Sequence, residues 1–211
     1  MAVDEKIVSA YREQLLSEGQ RPVSVYKFAL DLGISEEEFY NLFGSFDGLD
    51  RFVWNRLVER TITRLEADDA YAAFSAREKV LAFYFTLAEE LKAQRSMIVY
   101  YLELTPRLEL VPWFLKSFKT TFDNYIQNIL EGGKADGEIA KRPMFDKQYP
   151  RLFWIHLGFI LHFWKDDTSA GFENTDAAIE KSVNLAFDLI GKGAVDSVID
   201  FGKFLYQTKK A

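Results

Sequence analysis

The chain has 211 residues, no cysteine and a formal net charge of −6 at neutral pH, which excludes disulfides, thiolate metal sites and cysteine nucleophiles. Nearly half of its residues are apolar and 16% are aromatic, a composition that builds a packed core and excludes a disordered tail. The length suits one compact domain, or a small domain fused to a larger one.

In chain order, MAVDEKIV has no basic region followed by an apolar run, so no signal peptide is expected. Asp4 to Glu18 carries a helical stripe (Ile7, Val8, Tyr11, Leu15, Leu16) with Gly19 as its stop. Ser24 caps a short helix bearing Val25, Phe28, Ala29 and Leu32 that ends at Gly33. Ser35 and Glu38 form a capping box for the next helix, with Phe39, Leu42 and Phe43 inward. A longer helix runs from Phe46 to about Glu66, followed by the loop ADDAYAAFS. Ser75 with Glu78 opens a helix to about Arg95, and Ser96 to Leu104 is a short apolar helix broken by Pro106. Pro112 suits the first turn of a helix reaching Glu131, where GGKADGE reads as a loop. Asp146 to Trp164 is helical and apolar on nearly every side. Its apolar run, Leu152 to Trp164, is about 13 residues, too short to cross a bilayer. Thr175 caps a helix carrying Ile179, Val183, Ala186, Phe187 and Ile190 and closed by Gly191. A last amphipathic segment runs from Ala194 to about Gln207. The fold class is therefore all-α, with about ten helices, in a soluble cytoplasmic chain without stable membrane insertion.

The stretches KIVSAYREQLLSEG, VSVYKFALDLGIS and EEEFYNLFGSFDGL resemble the N-terminal domain of the TetR family of regulators. The shared features are Ala29 in the second helix, the turn glycine Gly33, the plug Ile34, the cap Ser35, the pair Phe39–Tyr40 and the closing Phe43. The resemblance implies a helix-turn-helix domain over residues 1–48 and a larger helical ligand-binding and dimerisation domain over 49–211. It also implies a transcription regulator whose DNA contacts come from Lys27, Ser35, Tyr40 and Asn41. The chain departs from the family at three places. Glu38 stands where a small or hydroxylated residue is usual, Leu42 where a phosphate-touching His or Tyr is common, and Phe46 where a Lys is common. Residues 1–50 hold four basic residues (Lys6, Arg12, Arg21, Lys27) and ten acidic ones, so the whole formal charge of the chain resides there. DNA affinity rests largely on Lys and Arg displacing counterions. DNA is thus a possible partner, disfavoured by charge, and weak or atypical binding is expected.

Nineteen Phe, ten Tyr and four Trp exceed what ordinary helix packing needs; they serve an apolar cavity, a partner surface or a bulky core. With the family's sensor domains as guide, Phe83, Tyr84, Leu87, Trp113, Phe118, Phe122 and Trp154 are the candidate lining for a small apolar or aromatic ligand. The two C-terminal helices resemble the family's dimerising pair, which places Phe153, Leu157, Ile160, Ile179, Val183, Phe187 and Ile190 at a homodimer interface. His156 and His162 are six apart and face different directions on a helix, so neither a metal site nor a catalytic pair is assigned, and no cofactor is expected. No Gly-rich phosphate loop, nucleophile elbow or matched carboxylate pair marks an enzyme. The segment LHFWKDDTSAGFENTDAAIEKSVNLAFDLI also resembles the ubiquinone-biosynthesis lipid-binding proteins of the same fold. That supplies the alternative, a lipid- or small-molecule-binding protein that has lost DNA recognition.

Overall fold

A computed structural model describes residues 2–105, 109–143, 145–191 and 193. Among them the chain forms nine α-helices: α1 (Val3–Glu18), α2 (Val25–Leu32), α3 (Glu36–Leu42), α4 (Phe46–Glu66), α5 (Ala76–Lys92), α6 (Arg95–Leu104), α7 (Lys116–Ala135), α8 (Tyr149–Asp166) and α9 (Glu173–Ile190). The fold is all-α. The predicted break at Pro106 and the predicted amphipathic segment from Ala194 lie outside the described residues. No described helix is long and apolar enough to cross a membrane.

Local chemistry sets most of the helix ends. Gly19 and Gly33 close α1 and α2 at φ 66° and 71°, a left-handed conformation that glycine adopts without steric cost. Ser24 accepts from Lys27 N at 3.2 Å to start α2. Both predicted capping boxes form: Glu38 N reaches Ser35 Oγ at 3.1 Å, and Glu78 N reaches Ser75 Oγ at 3.3 Å.

Two ends depart from expectation because tertiary packing decides them. The predicted loop at Gly132–Gly133 is instead the last part of α7. A side chain at Gly133 would meet Ala76 Cβ at 2.7 Å and Ile139 Cδ1 at 2.8 Å, so the close approach of backbone there outweighs glycine's poor helix propensity. The turn waits for Gly137, at φ 78°. Thr175 does not cap α9; it lies buried inside the first turn. The cap is the Asp167 carboxylate, which accepts from Thr175 N (2.9 Å), Thr175 Oγ1 (2.7 Å), Ser169 N (2.8 Å) and Ser169 Oγ (2.7 Å). At the other end of α9, the buried Arg142 guanidinium donates to the carbonyls of Leu189, Ile190 and Gly191 at 3.2, 3.2 and 2.8 Å.

The chain divides into two compact units. The first takes Met1–Ile62 and Leu87–Phe122, the second Thr63–Thr86 and Asp123 onward. The head of the first unit, α1 to α3 with the start of α4, is filled by aromatic rings: Tyr11 stacks on Phe46 at 5.5 Å, and Phe39 meets Phe28 at 6.1 Å and Phe46 at 5.4 Å. The division predicted at 48/49 falls inside α4.

Candidate functional site

The outer side of the head is where a helix-turn-helix meets its target. Three of its four cations are engaged within the head, and Arg12 on α1 is exposed. Lys27 Nζ lies 2.8 Å from Asp31 Oδ2, and Asp31 holds Lys27 above its ordinary pKa by that hydrogen bond. Lys6 Nζ donates to Leu32 O at 2.9 Å, joining α1 to the end of α2. Arg21 turns inward to Asp47, at 2.8 Å, and to Asp50. Of the predicted DNA contacts, Ser35 has its hydroxyl committed to the capping box, Lys27 to Asp31, and Tyr40 and Asn41 are exposed. Glu38 is held below the usual carboxylate range by the Ser35 backbone N–H and hydroxyl. It therefore stays charged on a helix that also exposes Glu36 and Glu37.

Behind that face lies a buried polar node that the helix pattern alone did not announce. Asp50 is fully buried and accepts from Arg21 Nη2 and from the Tyr101 hydroxyl of α6. Tyr11 OH lies 3.4 Å from Tyr101 OH, and the Arg21 guanidinium stacks over the Trp113 ring at 4.3 Å. Burial pushes the Asp50 carboxyl up, against the pull of Tyr101 and Arg21; burial and the Asp50 charge push both phenols up as well. One signal in the sequence pointed here. Asp50 shares a helical stripe with Val53, Trp54 and Leu57, so a carboxylate on the apolar side of α4 required partners.

The predicted ligand residues are placed as follows. Phe83, Tyr84 and Trp154 belong to the second unit; Leu87, Trp113, Phe118 and Phe122 belong to the first. All except Trp113 are buried. In the first unit Trp54 is the hub, with Phe114 at 4.9 Å, Tyr101 at 6.0 Å and Phe118 at 6.4 Å. Its indole Nε1 is buried without a hydrogen-bond acceptor. In the second unit Phe83 packs on Tyr125 at 5.1 Å, and Tyr84 OH meets His156 Nδ1 at 3.1 Å while His156 Nε2 meets Ser182 Oγ at 2.7 Å. Burial drives His156 down to about 4, so it is neutral at pH 7. A groove of about 840 Å³ in the first unit is lined by Arg12, Leu16, Arg56, Arg60, Glu90 and Met97, among others. A smaller cleft of about 200 Å³ in the second lies against Tyr71, Tyr125 and Gly132.

Residues 79–205, more than half of the chain, match the tetracyclin repressor-like C-terminal domain. The chain belongs to the TetR family. The TetR fold extends over nearly its whole length. A TetR-family transcriptional regulator from Syntrophomonas wolfei superposes with a TM-score of 0.71 at 13% identity, covering 91% of this chain and 97% of that one. A TetR-family regulator from Rhodococcus sp. gives 0.61 at 15% identity, over 87% and 98%. The fatty acid degradation regulator FadR from Bacillus halodurans gives 0.56 at 15% identity, over 90% and 98%. No curated protein matches the sequence.

Within this TetR-family chain, the seven side chains predicted for the dimer interface all point into their own unit. Phe153, Leu157, Ile160, Ile179, Val183, Phe187 and Ile190 are buried without any partner chain. The exposed apolar side chains of the same helices are others: Leu152, Ile155, Phe159 and Phe163 on α8, and Leu185 and Leu189 on α9. Their spacing is three or four residues, so each set forms one stripe.

Proposed function

We propose that this TetR-family chain is a cytoplasmic, ligand-responsive regulator that dimerises through α8 and α9 and grips DNA only weakly. The observation that carries the last point is the disposition of charge on the head. Lys27 and Arg21 are paired with carboxylates, Lys6 is tied to a backbone carbonyl, and Glu36 and Glu37 remain exposed. A duplex brings about one negative charge per 1.7 Å, and such a face offers it few counter-charges. Tyr40 and Asn41 remain available for phosphate or base edges. Polarisation or gel-shift titration of genomic fragments at low salt tests this: micromolar or weaker binding is expected, and nanomolar specific binding overturns it.

The ligand reading draws support from Trp54. A buried indole N–H left without an acceptor costs about 1–3 kcal/mol, and a small apolar ligand carrying one carbonyl or ether oxygen would relieve it. Mass spectrometry of solvent extracts from the purified protein should find such a compound; clean extracts from every expression host count against it. The dimer reading draws on the exposed apolar stripes of α8 and α9, surface of the kind a two-fold interface buries. Light scattering should give a dimer mass, reduced to a monomer by Phe159→Glu with Leu185→Glu.

A further inference from the structure

The outward face of the head exposes more apolar side chain than the polar contacts of a DNA duplex would use. On α2, Tyr26 and Leu30 stand one turn apart and are 63% and 64% exposed. On α3, Tyr40 is 50% exposed. Phe28 and Phe39 pack ring to ring behind them at 6.1 Å, so the two helices present neighbouring outer faces. Glu36 and Glu37 lie one turn before Tyr40 on the same side of α3. The only cation on α2, Lys27, is cancelled in place by Asp31.

Large apolar side chains gathered in the open mark an interaction surface, and the sign of the rim chooses among occupants. A negative rim repels nucleic acid. It also repels a second copy of the same face, which would meet it with like charge. What it attracts is the opposite pattern. We propose that this face docks a basic amphipathic helix of another protein, whose apolar stripe seats on Tyr26, Leu30 and Tyr40 while its Lys and Arg rim meets Glu36 and Glu37. Helices built to lie on a polyanion carry that rim, so the DNA-binding segment of another protein is one source. The inference rests on the weak DNA grip proposed above and extends it from a lost contact to a gained one.

The test uses the full-length protein and three fluorescent probes: a helical Leu/Lys peptide, a Leu/Glu peptide of the same length, and a DNA duplex. Anisotropy should show micromolar binding of the Leu/Lys peptide, weakened by salt, and none of the Leu/Glu peptide. Leu30→Ala with Tyr40→Ala, and separately Glu36→Lys with Glu37→Lys, should each weaken the Leu/Lys peptide about tenfold or more. The second pair leaves the Ser35–Glu38 capping box untouched, so it decides the matter should the first pair unfold the head. Asp69→Lys with Glu131→Lys makes the same change of charge at exposed positions of the other unit, and should leave affinity within about twofold. Equal weakening by that control pair reduces the effect to bulk charge and overturns the proposal, as does full affinity in both head variants. Growth beyond a dimer that Tyr40→Ala abolishes makes a second copy the occupant and overturns it too. The duplex arm reads the weak-DNA proposal separately: nanomolar duplex binding sinks that reading, whereas weak duplex binding with an indifferent peptide sinks only the docking.

Discussion

Removing the Asp50 carboxylate is the sharpest probe of what fastens the head to the rest of its unit. Asp50 accepts from Arg21 on the loop after α1 and from Tyr101 on α6, and has no solvent to fall back on. Breaking a buried pair by deleting one partner costs about 3–5 kcal/mol. Here the low end applies, because Arg21 keeps Asp47 at 2.8 Å on a partly exposed side of the node. The larger loss falls on Tyr101, whose buried hydroxyl would retain only Tyr11 OH at 3.4 Å, a stranded donor worth about 1–3 kcal/mol. Asp50→Ala should therefore cost about 3 kcal/mol, a fall in Tm of roughly 6–12 °C for a chain of this size. Asp50→Asn keeps one acceptor and sheds the penalty of a buried charge, so it should cost about 1 kcal/mol.

Urea and thermal denaturation of Asp50→Ala, Tyr101→Phe and the double variant complete the test. Residues in one hydrogen-bond network couple by about 0.5–3 kcal/mol, so the double variant should be less damaged than the sum. A Tm for Asp50→Ala within about 2 °C of wild type, or strict additivity with Tyr101→Phe, would refute the assignment of the node as a fastening.

Three further outcomes follow from particular sites. Gly133→Ala forces a Cβ to within 2.7 Å of Ala76 Cβ and should cost about 1–3 kcal/mol in urea unfolding, whereas its neighbour Gly132→Ala, in open space on the same helix, should stabilise by about 0.5–1 kcal/mol. Equal effects would mean that the approach of α7 to Ala76 is not tight. His156 is held down to about 4 by burial, against about 6.5 when unfolded; the unfolded chain therefore takes up a proton that the folded one refuses, and stability is lost as pH falls from about 6.5 toward 4. Tm measured from pH 7 to 5 should decline more steeply in wild type than in His156→Gln, and an NMR titration of His156 centred near 6.5 contradicts this. Asp167 is lowered to about 2, its four hydrogen bonds from Ser169 and Thr175 outweighing the rise that burial imposes. Its contribution is present above about pH 4 and lost toward pH 2, so Asp167→Asn should flatten the acid limb of the stability curve between those values.

What could be read from the sequence was what depends on neighbours in sequence. The Ser35–Glu38 and Ser75–Glu78 boxes, the glycine stops after α1 and α2, and the full length of α4 are decided within four residues. The misread ends are those settled from afar. Asp167 caps α9 from eight residues upstream of Thr175, and α7 runs on through Gly133, against which Ala76 and Ile139 pack too closely for a side chain. The same limit applies to the outward side of α8. A helix apolar on nearly every side, such as α8, does not reveal which side its own unit claims. Only packing separates Phe153, Leu157 and Ile160, buried, from Leu152, Ile155 and Phe159, exposed. Asp50 was legible in principle, since a carboxylate in step with Val53, Trp54 and Leu57 has to be answered by donors. Which donors answer it, Arg21 and Tyr101, is set by tertiary contacts spanning 29 and 51 residues.

The acidic start of α3 shows folding and binding pulling on the same residues. Carboxylates in a first turn complement the helix dipole, and Glu38 adds the capping box, so Glu36, Glu37 and Glu38 all favour the helix they begin. For a partner with a negative backbone those charges count the other way. Glu36→Lys with Glu37→Lys separates the two effects, because neither side chain holds a capping hydrogen bond. The variant should lose a few degrees of Tm, from the reversed dipole interaction. It should bind a DNA duplex more tightly at low salt, with the slope of log affinity against log salt steeper by up to about 1.8, or roughly 0.9 for each new phosphate contact. If the head loses stability and duplex affinity stays flat, this face is not turned toward the groove, and its acidity has no bearing on DNA. If affinity rises with the steeper slope, the geometry of the head is intact and only its sign keeps it off nucleic acid.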